Sequence, residues 1–368
     1  MFTSRAQRMI YKKVVKPIFF RFDPEGVHDR VLAVGKLIGK YAVSRRTAQF
    51  LFAYEHSSLA QNVCGIYFKN PVGLTAGFDK NAELTQVLPA VGFGFAEVGS
   101  ITGEPCEGNP KPRLWRLPKS QGLVVYYGLK NDGCEAIAAR LQKERFAFPV
   151  GISIAKTNND KTVEVDAGVR DYVKAFRAFR DIGDYITINI SCPNAFGGEP
   201  FTDPERLELL LAAIDAEGDT RPVFLKFPAD LSFSEIDALV AVADWHRIKG
   251  FIVSNLTKRR DRSGIDQDEV KNLTKGGISG KPVFDPSNEL ISHLFRTVGS
   301  QYVLIGSGGV FTAADAYEKI RRGASLVQLA TGMIFEGPQV IGEINRGLVD
   351  LLQKDGFTNI REAVGSAH

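Results

Sequence analysis

From about residue 65 onward, short apolar runs alternate with longer stretches whose apolar positions recur every three or four residues. The short runs are PVGLTAG (71–77), FGFAEVGS (93–100), FPVGISI (148–154), DYITINIS (184–191), RPVFLKF (221–227), GFIVSN (250–255), QYVLIGS (301–307) and ASLVQLA (324–330). Each has the length and composition of a buried strand. Helix-length amphipathic stretches follow them, near 81–91, 132–144, 168–182, 204–216, 233–247, 286–298, 312–322 and 338–353. Strict alternation predicts a parallel sheet, and eight units predict a closed (β/α)8 barrel of the TIM type. An open, doubly wound sheet is the competing arrangement.

The front of the chain has a different pattern. From DPEGVH, the residues Val27, Val31, Val34, Ile38 and Tyr41 recur at helical spacing, with Asp23 and Pro24 placed as N-cap and first-turn residue. TAQFLFAYEH reads as a second short helix. Before both, Lys12, Lys13 and Lys16 stand among Ile10, Val14, Val15, Ile18, Phe19 and Phe20, the composition of an interfacial element. A helical pair packed on the main body fits the same periodicity. The predicted organisation is a helical extension over residues 1–60 and a barrel over 61–368.

Composition narrows the function classes. The 368 residues are 44% hydrophobic and 24% charged, an ordinary globular balance. Residues 1–46 carry eleven basic and three acidic side chains, while the remainder is net acidic by four. The basic front lacks the aromatic-interleaved or Gly-rich patterns of RNA-binding segments, which argues against a nucleic-acid partner. No apolar run reaches the roughly 18 residues that span a bilayer. The first twenty residues lack the h-region and cleavage site of a signal peptide. Cys64, Cys106, Cys134 and Cys192 show no C-x-x-C spacing, so no metal site is expected, and scattered single cysteines fit a reducing compartment.

The longest connections follow strands 2 (101–131), 4 (192–203) and 6 (256–285), all on the C-terminal face of a barrel, where loops carry function. The strand exits there are polar: Lys80, Ser153, Asn189, Lys226, Ser254 and Asn255. Desolvating such groups is costly unless a ligand or partner satisfies them. GSGGVFTAADA after strand 7, GASLVQLATG through strand 8 and GGISGKP after strand 6 predict backbone cradles for a phosphorylated ligand.

DPEGVH, FKNPVGLTAGFDKNA, GFAEVGS, GNPKPRLWRL, NISCPN, FLKFPADLS, GGISGKP, IGSGGV and GASLVQLATG occur in that order. On these motifs the chain resembles the dihydroorotate dehydrogenase family, in its membrane-associated, quinone-dependent class. The resemblance implies an FMN-dependent oxidoreductase of pyrimidine biosynthesis that oxidises dihydroorotate and reduces quinone. It implies peripheral attachment through the extension, on the cytoplasmic face of the inner membrane or, in a eukaryote, at the inner mitochondrial membrane. Ala76, Gly77, Ser100, Ser153, Asn189, Lys226 and Ser254 would contact the flavin, with Lys226 at its N1/O2 edge. Gly280, Gly309 and Thr331 would hold its phosphate. Lys80, Asn189, Asn194 and Asn255 would bind the substrate, and His28 and Arg116 would flank the quinone path.

In this family the residue before the Pro-Asn turn is the catalytic base, serine in the quinone-dependent class and cysteine in the soluble class. Here it is Cys192. A thiol is the more acidic group, and a nearby cation is expected to lower its pKa further. There are further departures, several of them on the substrate side. The asparagine of the family's N-R-x-G-F-N pattern falls on Val125, the arginine on Tyr126 and the phenylalanine on Leu129. Leu256 follows Asn255 in place of threonine, Ser153 replaces an asparagine, and Ala330 stands where the family carries tyrosine. A flavin oxidoreductase for another dihydropyrimidine or cyclic enamide is therefore the alternative to dihydroorotate.

Overall fold

The computed structural model describes residues 2–368; Met1, the first residue of the predicted extension, lies outside them. Eight parallel strands close a barrel: β1 (Val72–Leu74), β2 (Phe95–Ile101), β3 (Val150–Ile154), β4 (Tyr185–Asn189), β5 (Val223–Phe227), β6 (Ile248–Val253), β7 (Val303–Ser307) and β8 (Ala324–Leu329). Each predicted run contains or overlaps one of them, and closure excludes the open sheet. A hairpin of Gln61–Val63 and Ile66–Phe68, absent from the expected elements, precedes β1.

The interior is layered by the two-residue repeat of the strands. Phe95, Tyr185, Phe224, Ile252, Ile305 and Leu326 form an apolar floor, with Phe68 of the hairpin against Phe95 in an edge-to-face contact. The large rings need glycine neighbours: a Cβ at Gly73 would lie 2.3 Å from Phe95, and one at Gly151 2.0 Å from Tyr185. Two residues further along, the same strands present Glu97, Thr187, Lys226 and Gln328, all buried. Glu97 accepts hydrogen bonds from Thr187 Oγ1 (2.9 Å) and Gln328 Nε2 (3.2 Å) and pairs with Lys226 Nζ at 3.4 Å. The next level opens into the predicted mouth, with Asn189 in register beside Lys226.

Most helices fall where the periodicity places them, including Cys134–Leu141, Val165–Ala178, Phe284–Val298, Ala313–Arg321 and Val340–Asp355. The first is much shorter, Leu88–Val91 instead of 81–91. The Asp79 carboxylate accepts from the backbone N–H of Glu83 and Leu84, both at 2.8 Å, and so holds the preceding segment as a turn. Two long connections are also more ordered than their glycine and proline content suggested. Leu114–Leu117, Gly122–Val125 and Gly277–Gly280 form an antiparallel sheet across the loops that follow β2 and β6.

The extension contains helices Phe2–Ile10, Lys16–Phe19, Pro24–Lys40 and Ala42–Phe52, with a π-helical turn at Tyr11–Val15. Asp23 caps the third by accepting from the Gly26 N–H at 2.7 Å. Gly35 and Gly39 let that helix approach Leu84 and Val87 of the body. Part of the basic charge is used for docking: Arg8 and Lys12 reach the buried Glu336 at 2.9 and 2.6 Å. Reciprocally, Glu25 of the extension is buried against Arg113 at 2.7 Å, with Lys111 at 3.4 Å. Burial alone would raise the Glu25 pKa, but the two cations outweigh it and hold the carboxyl below its usual range. Ile10, Val14, Ile18, Val34, Leu37 and Phe50 remain exposed on the extension.

Glu25→Gln leaves the buried Arg113 guanidinium without its counter-charge and should cost about 3 kcal/mol. Urea unfolding measures this, and limited proteolysis should then cut the extension sooner. An unchanged midpoint would mean that this pair contributes nothing to docking.

Candidate functional site

A long slot crosses the C-terminal mouth. It runs from Thr75, Ala76 and Gly77 after β1, past Lys226 and Ser254, to Gly280, Gly308, Gly309 and Thr331. At the first end, Lys226 donates to Thr75 Oγ1 at 3.1 Å and is balanced from below by Glu97. At the other end the backbone is shaped by glycine. Gly280, Gly308 and Gly309 all have positive φ, and a Cβ at Gly309 would lie 2.5 Å from Phe284 Cβ. Among the described residues, the backbone N–H groups of Gly308, Gly309 and Val310 donate no hydrogen bond within the chain. Those of Phe311 and Thr312 are taken by the Asp315 carboxylate, both at 2.9 Å. The anion-binding surface therefore lies on the glycine turn rather than on the capped start of the following helix.

Beside the first end lies a smaller pocket that brings together Lys80, Ser100, Asn189, Cys192, Asn194 and Asn255. Asn189 Nδ2 donates to Ser100 Oγ and its Oδ1 accepts from Ser191 Oγ, both at 2.7 Å. Asn255 Nδ2 donates to the Ser191 carbonyl at 2.6 Å, and Asn194 Nδ2 donates to the Val125 carbonyl at 2.9 Å. The asparagines are thus fixed by local partners, which pre-orients the Oδ1 atoms of Asn194 and Asn255, while that of Asn189 is taken by Ser191. Ser153, expected at the cofactor, lies behind Ser100. It is fully buried, bonds Ser100 Oγ at 2.7 Å, and lines neither the slot nor the pocket, so it supports Ser100 from behind.

Cys192 is half-buried on the loop that leaves β4. The expectation that a cation lowers its pKa is not met. Burial pushes the thiol up to about 11 and Glu199 adds to that, while the Asn194 N–H and the charge of Lys156 pull the other way without prevailing. The loop is held from both sides: Lys156 Nζ donates to the Phe196 carbonyl at 2.8 Å, and Asn109 Nδ2 donates to the Asn194 carbonyl at 3.0 Å. Lys80 sits 3.9 Å over the Tyr127 ring, and burial lowers its pKa to about 8. The Tyr127 hydroxyl is buried without a partner. Val125, Leu129 and Leu256 also line this pocket and are its apolar departures from the family pattern.

On the other side of the slot an apolar chamber of about 380 Å³ opens toward the extension. Val15, Phe19, Val27, Phe78, Met333 and Ile334 line it, together with Tyr11, His28 and Arg116. Arg116 donates to the Phe22 carbonyl at 2.8 Å and lies over Phe20. Burial drives the His28 pKa down to about 3, so the ring is neutral, with Nε2–H donated to the Phe78 carbonyl at 2.9 Å. His28, Phe78, Leu114, Leu123 and Ile334 line both chamber and slot, so the two spaces meet.

Thr75, Glu97, Tyr127 and Ser191 were not singled out from the sequence. Glu97 carried a signal, as a lone acid within the otherwise apolar FAEVGS run. Tyr127 carried none, because its role depends on Lys80, which is distant in the chain.

A family model described as dihydroorotate dehydrogenase matches residues 58–352. The chain belongs to the dihydroorotate dehydrogenase family. It is 38% identical over 359 residues to the dihydroorotate dehydrogenase (quinone) of Gloeobacter violaceus, covering 96% of this chain and 98% of the relative. It is 39% identical over 359 residues to the enzyme of the same name from Mycolicibacterium smegmatis, covering 98% and 99%. The structure superposes on the crystal structure of DHODH from Eimeria tenella in complex with ferulenol with a TM-score of 0.84. That alignment is 30% identical and covers 94% of this chain and 96% of that one. The family thus agrees with the barrel read from hydrophobic periodicity.

The raised Cys192 pKa makes a direct prediction. In the ligand-free protein, alkylation of Cys192 by iodoacetamide should be slow at pH 7 and rise about tenfold per pH unit toward pH 10, because only the thiolate reacts. A plateau below pH 8 would show that the loop stabilises the thiolate far more than its burial allows.

Proposed function

We propose that the protein holds FMN in the slot and oxidises dihydroorotate to orotate, with quinone as electron acceptor, in pyrimidine biosynthesis. The observation that carries this reading is the continuity of three spaces: a polar pocket with Cys192, a slot ending in free backbone amides, and an apolar chamber toward the extension. The slot suits the cofactor. The glycine turn can take a phosphate in a space that a Cβ would fill, and Lys226 supplies positive charge at the other end. Ala76, Gly77, Ser100, Asn189, Lys226 and Ser254 would face the ring side, and Gly280, Gly309 and Thr331 the phosphate.

FMN held there would supply a two-electron acceptor for the hydride that leaves substrate C6, within reach of quinone in the chamber. Cys192 would take the proton from C5, and the C5–H electron pair left behind would form the carbon–carbon double bond of the product as hydride leaves C6. Lys80 would pair with the substrate carboxylate, and Asn189, Asn194 and Asn255 would hold the ring amides. His28 and Arg116 would flank the quinone head group in the chamber. Val125, Leu129 and Leu256 favour a second reading, in which the preferred dihydropyrimidine is less polar than dihydroorotate.

The deciding experiment is anaerobic mixing of the yellow protein with dihydroorotate, followed near 450 nm. Bleaching should be rapid and about tenfold faster per pH unit between pH 6 and 9, as the thiolate fraction grows, and Cys192→Ala should abolish it. Under the second reading bleaching is weak, and Val125→Asn raises kcat/KM for dihydroorotate about tenfold by restoring one amide contact. Protein that binds no flavin would refute both readings.

No described helix is long and apolar enough to cross a membrane. Exposed Ile10, Val14, Ile18 and Phe50 together with the exposed Lys13 support peripheral attachment through residues 1–55. Full-length protein should co-sediment with anionic vesicles, and a chain starting at residue 56 should stay in the supernatant. Co-sedimentation of the shortened chain would move the attachment site to the barrel.

A further inference from the structure

Among the described residues three lysines are buried: Lys156, Lys226 and Lys319. Lys226 has Glu97, and Lys156 is bonded to the loop that bears Cys192. Lys319 takes no part in the chemistry described above, and no carboxylate lies within 4.0 Å of its ammonium. Its nearest partners are neutral oxygens, Ser287 Oγ at 2.9 Å and Asn288 Oδ1 at 3.0 Å, and its Nζ lies 5.1 Å from the Phe284 ring centroid. A cation so placed is destabilised unless something supplies negative charge.

Two of these neighbours, Ser287 and Phe284, touch the glycine turn. A Cβ at Gly308 would lie 3.6 Å from Ser287 Cβ, and one at Gly309 would lie 2.5 Å from Phe284 Cβ. Ser287 in turn donates to the Ser307 carbonyl at 2.7 Å, just before that turn. The aliphatic stem of Lys319 passes under Gly306, where a Cβ would lie 3.1 Å from its Cδ. The ammonium is therefore one side chain behind the unsatisfied amides of Gly308 and Gly309.

We infer that Lys319 is the buried counter-charge of the phosphate group bound on the Gly308–Gly309 turn, acting through Ser287 rather than by direct contact. The inference rests on the flavin reading above and adds to it a residue that discriminates phosphorylated from unphosphorylated ligand. A dianion on the turn supplies the negative charge that Lys319 lacks, in a region shielded from solvent where the attraction is weakly screened. Nearby charges do not replace it. Asp315 is held by Lys281 at 2.7 Å and by the amides of Phe311 and Thr312, Arg322 adds positive charge, and Asp285 lies outside ion-pair distance. Burial lowers the Lys319 pKa to about 7 in the ligand-free protein, so the phosphate must also draw a proton onto it above that pH. The sign follows: the benefit is complete below pH 7 and declines as pH rises through the pKa that Lys319 has in the complex.

The test is flavin binding by the purified full-length protein, followed by flavin fluorescence, with FMN and riboflavin as probes. Lys319→Met keeps the stem and removes the charge. It should raise the FMN Kd about tenfold and leave the riboflavin Kd within about twofold. In the unsubstituted protein the preference for FMN over riboflavin should shrink between pH 7 and 9, where the phosphate stays dianionic, and Lys319→Met should flatten that dependence. Unchanged FMN affinity, or an equal loss for both flavins, would overturn the role of Lys319 and leave the flavin reading intact. Absence of binding by either flavin in the unsubstituted protein would overturn both. Should Lys319→Met fail to fold, the pH series on the unsubstituted protein decides, since a pH-independent preference for FMN overturns the inference.

Discussion

A lysine inside a barrel persists as a cation only if a counter-charge is buried with it. Here Glu97 supplies that charge to Lys226 at 3.4 Å, held in turn by Thr187 and Gln328. The polar layer they form rests on an aromatic floor that excludes water from below. It places a fixed positive charge at one end of the slot. Everything nearer the mouth, from Thr75 to Asn189 and Asn255, is arranged above this layer, and the register that sets Asn189 beside Lys226 is the same register that closes the sheet.

The same rule governs how the extension joins the barrel. Each part contributes one buried acid that the other part's cations satisfy: Glu25 with Arg113, and Glu336 with Arg8 and Lys12. These pairs fix the apolar chamber between the two parts. Removing Glu25 leaves the buried Arg113 guanidinium alone, which costs far more than the pair itself contributes. The extension can thus keep an apolar surface exposed at Ile10, Val14 and Phe50 while remaining docked by charge at its base.

The substrate side combines rigidity with reduced polarity. Asn189, Asn194 and Asn255 are each fixed by a backbone or hydroxyl partner, so little ordering remains to be done on binding. The side chains of Val125, Leu129 and Leu256 in the same pocket offer no polar groups. Cys192 beside them is a strong but mostly protonated base, because burial of its thiol outweighs the charge of Lys156, whose ammonium donates to the Phe196 carbonyl.

Periodicity alone determined the eight strands, most of the helices and their barrel order, because apolar spacing reports which face each segment must bury. It also placed Lys80, Asn189, Cys192, Lys226 and Asn255 at strand exits, where polar residues interrupt apolar runs. It failed at residues 81–87, where the Asp79 carboxylate holds a turn against helical spacing, and at Gly122–Val125, whose strand partners lie in separate loops. Ser153 was assigned to the ligand by position, yet its direction is set by Ser100. Whether Cys192 is acidic, whether Lys319 has a partner, and which acids hold the extension were decided only in three dimensions. Desolvation and pairing depend on groups far apart in the chain, and one-dimensional spacing carries no record of them.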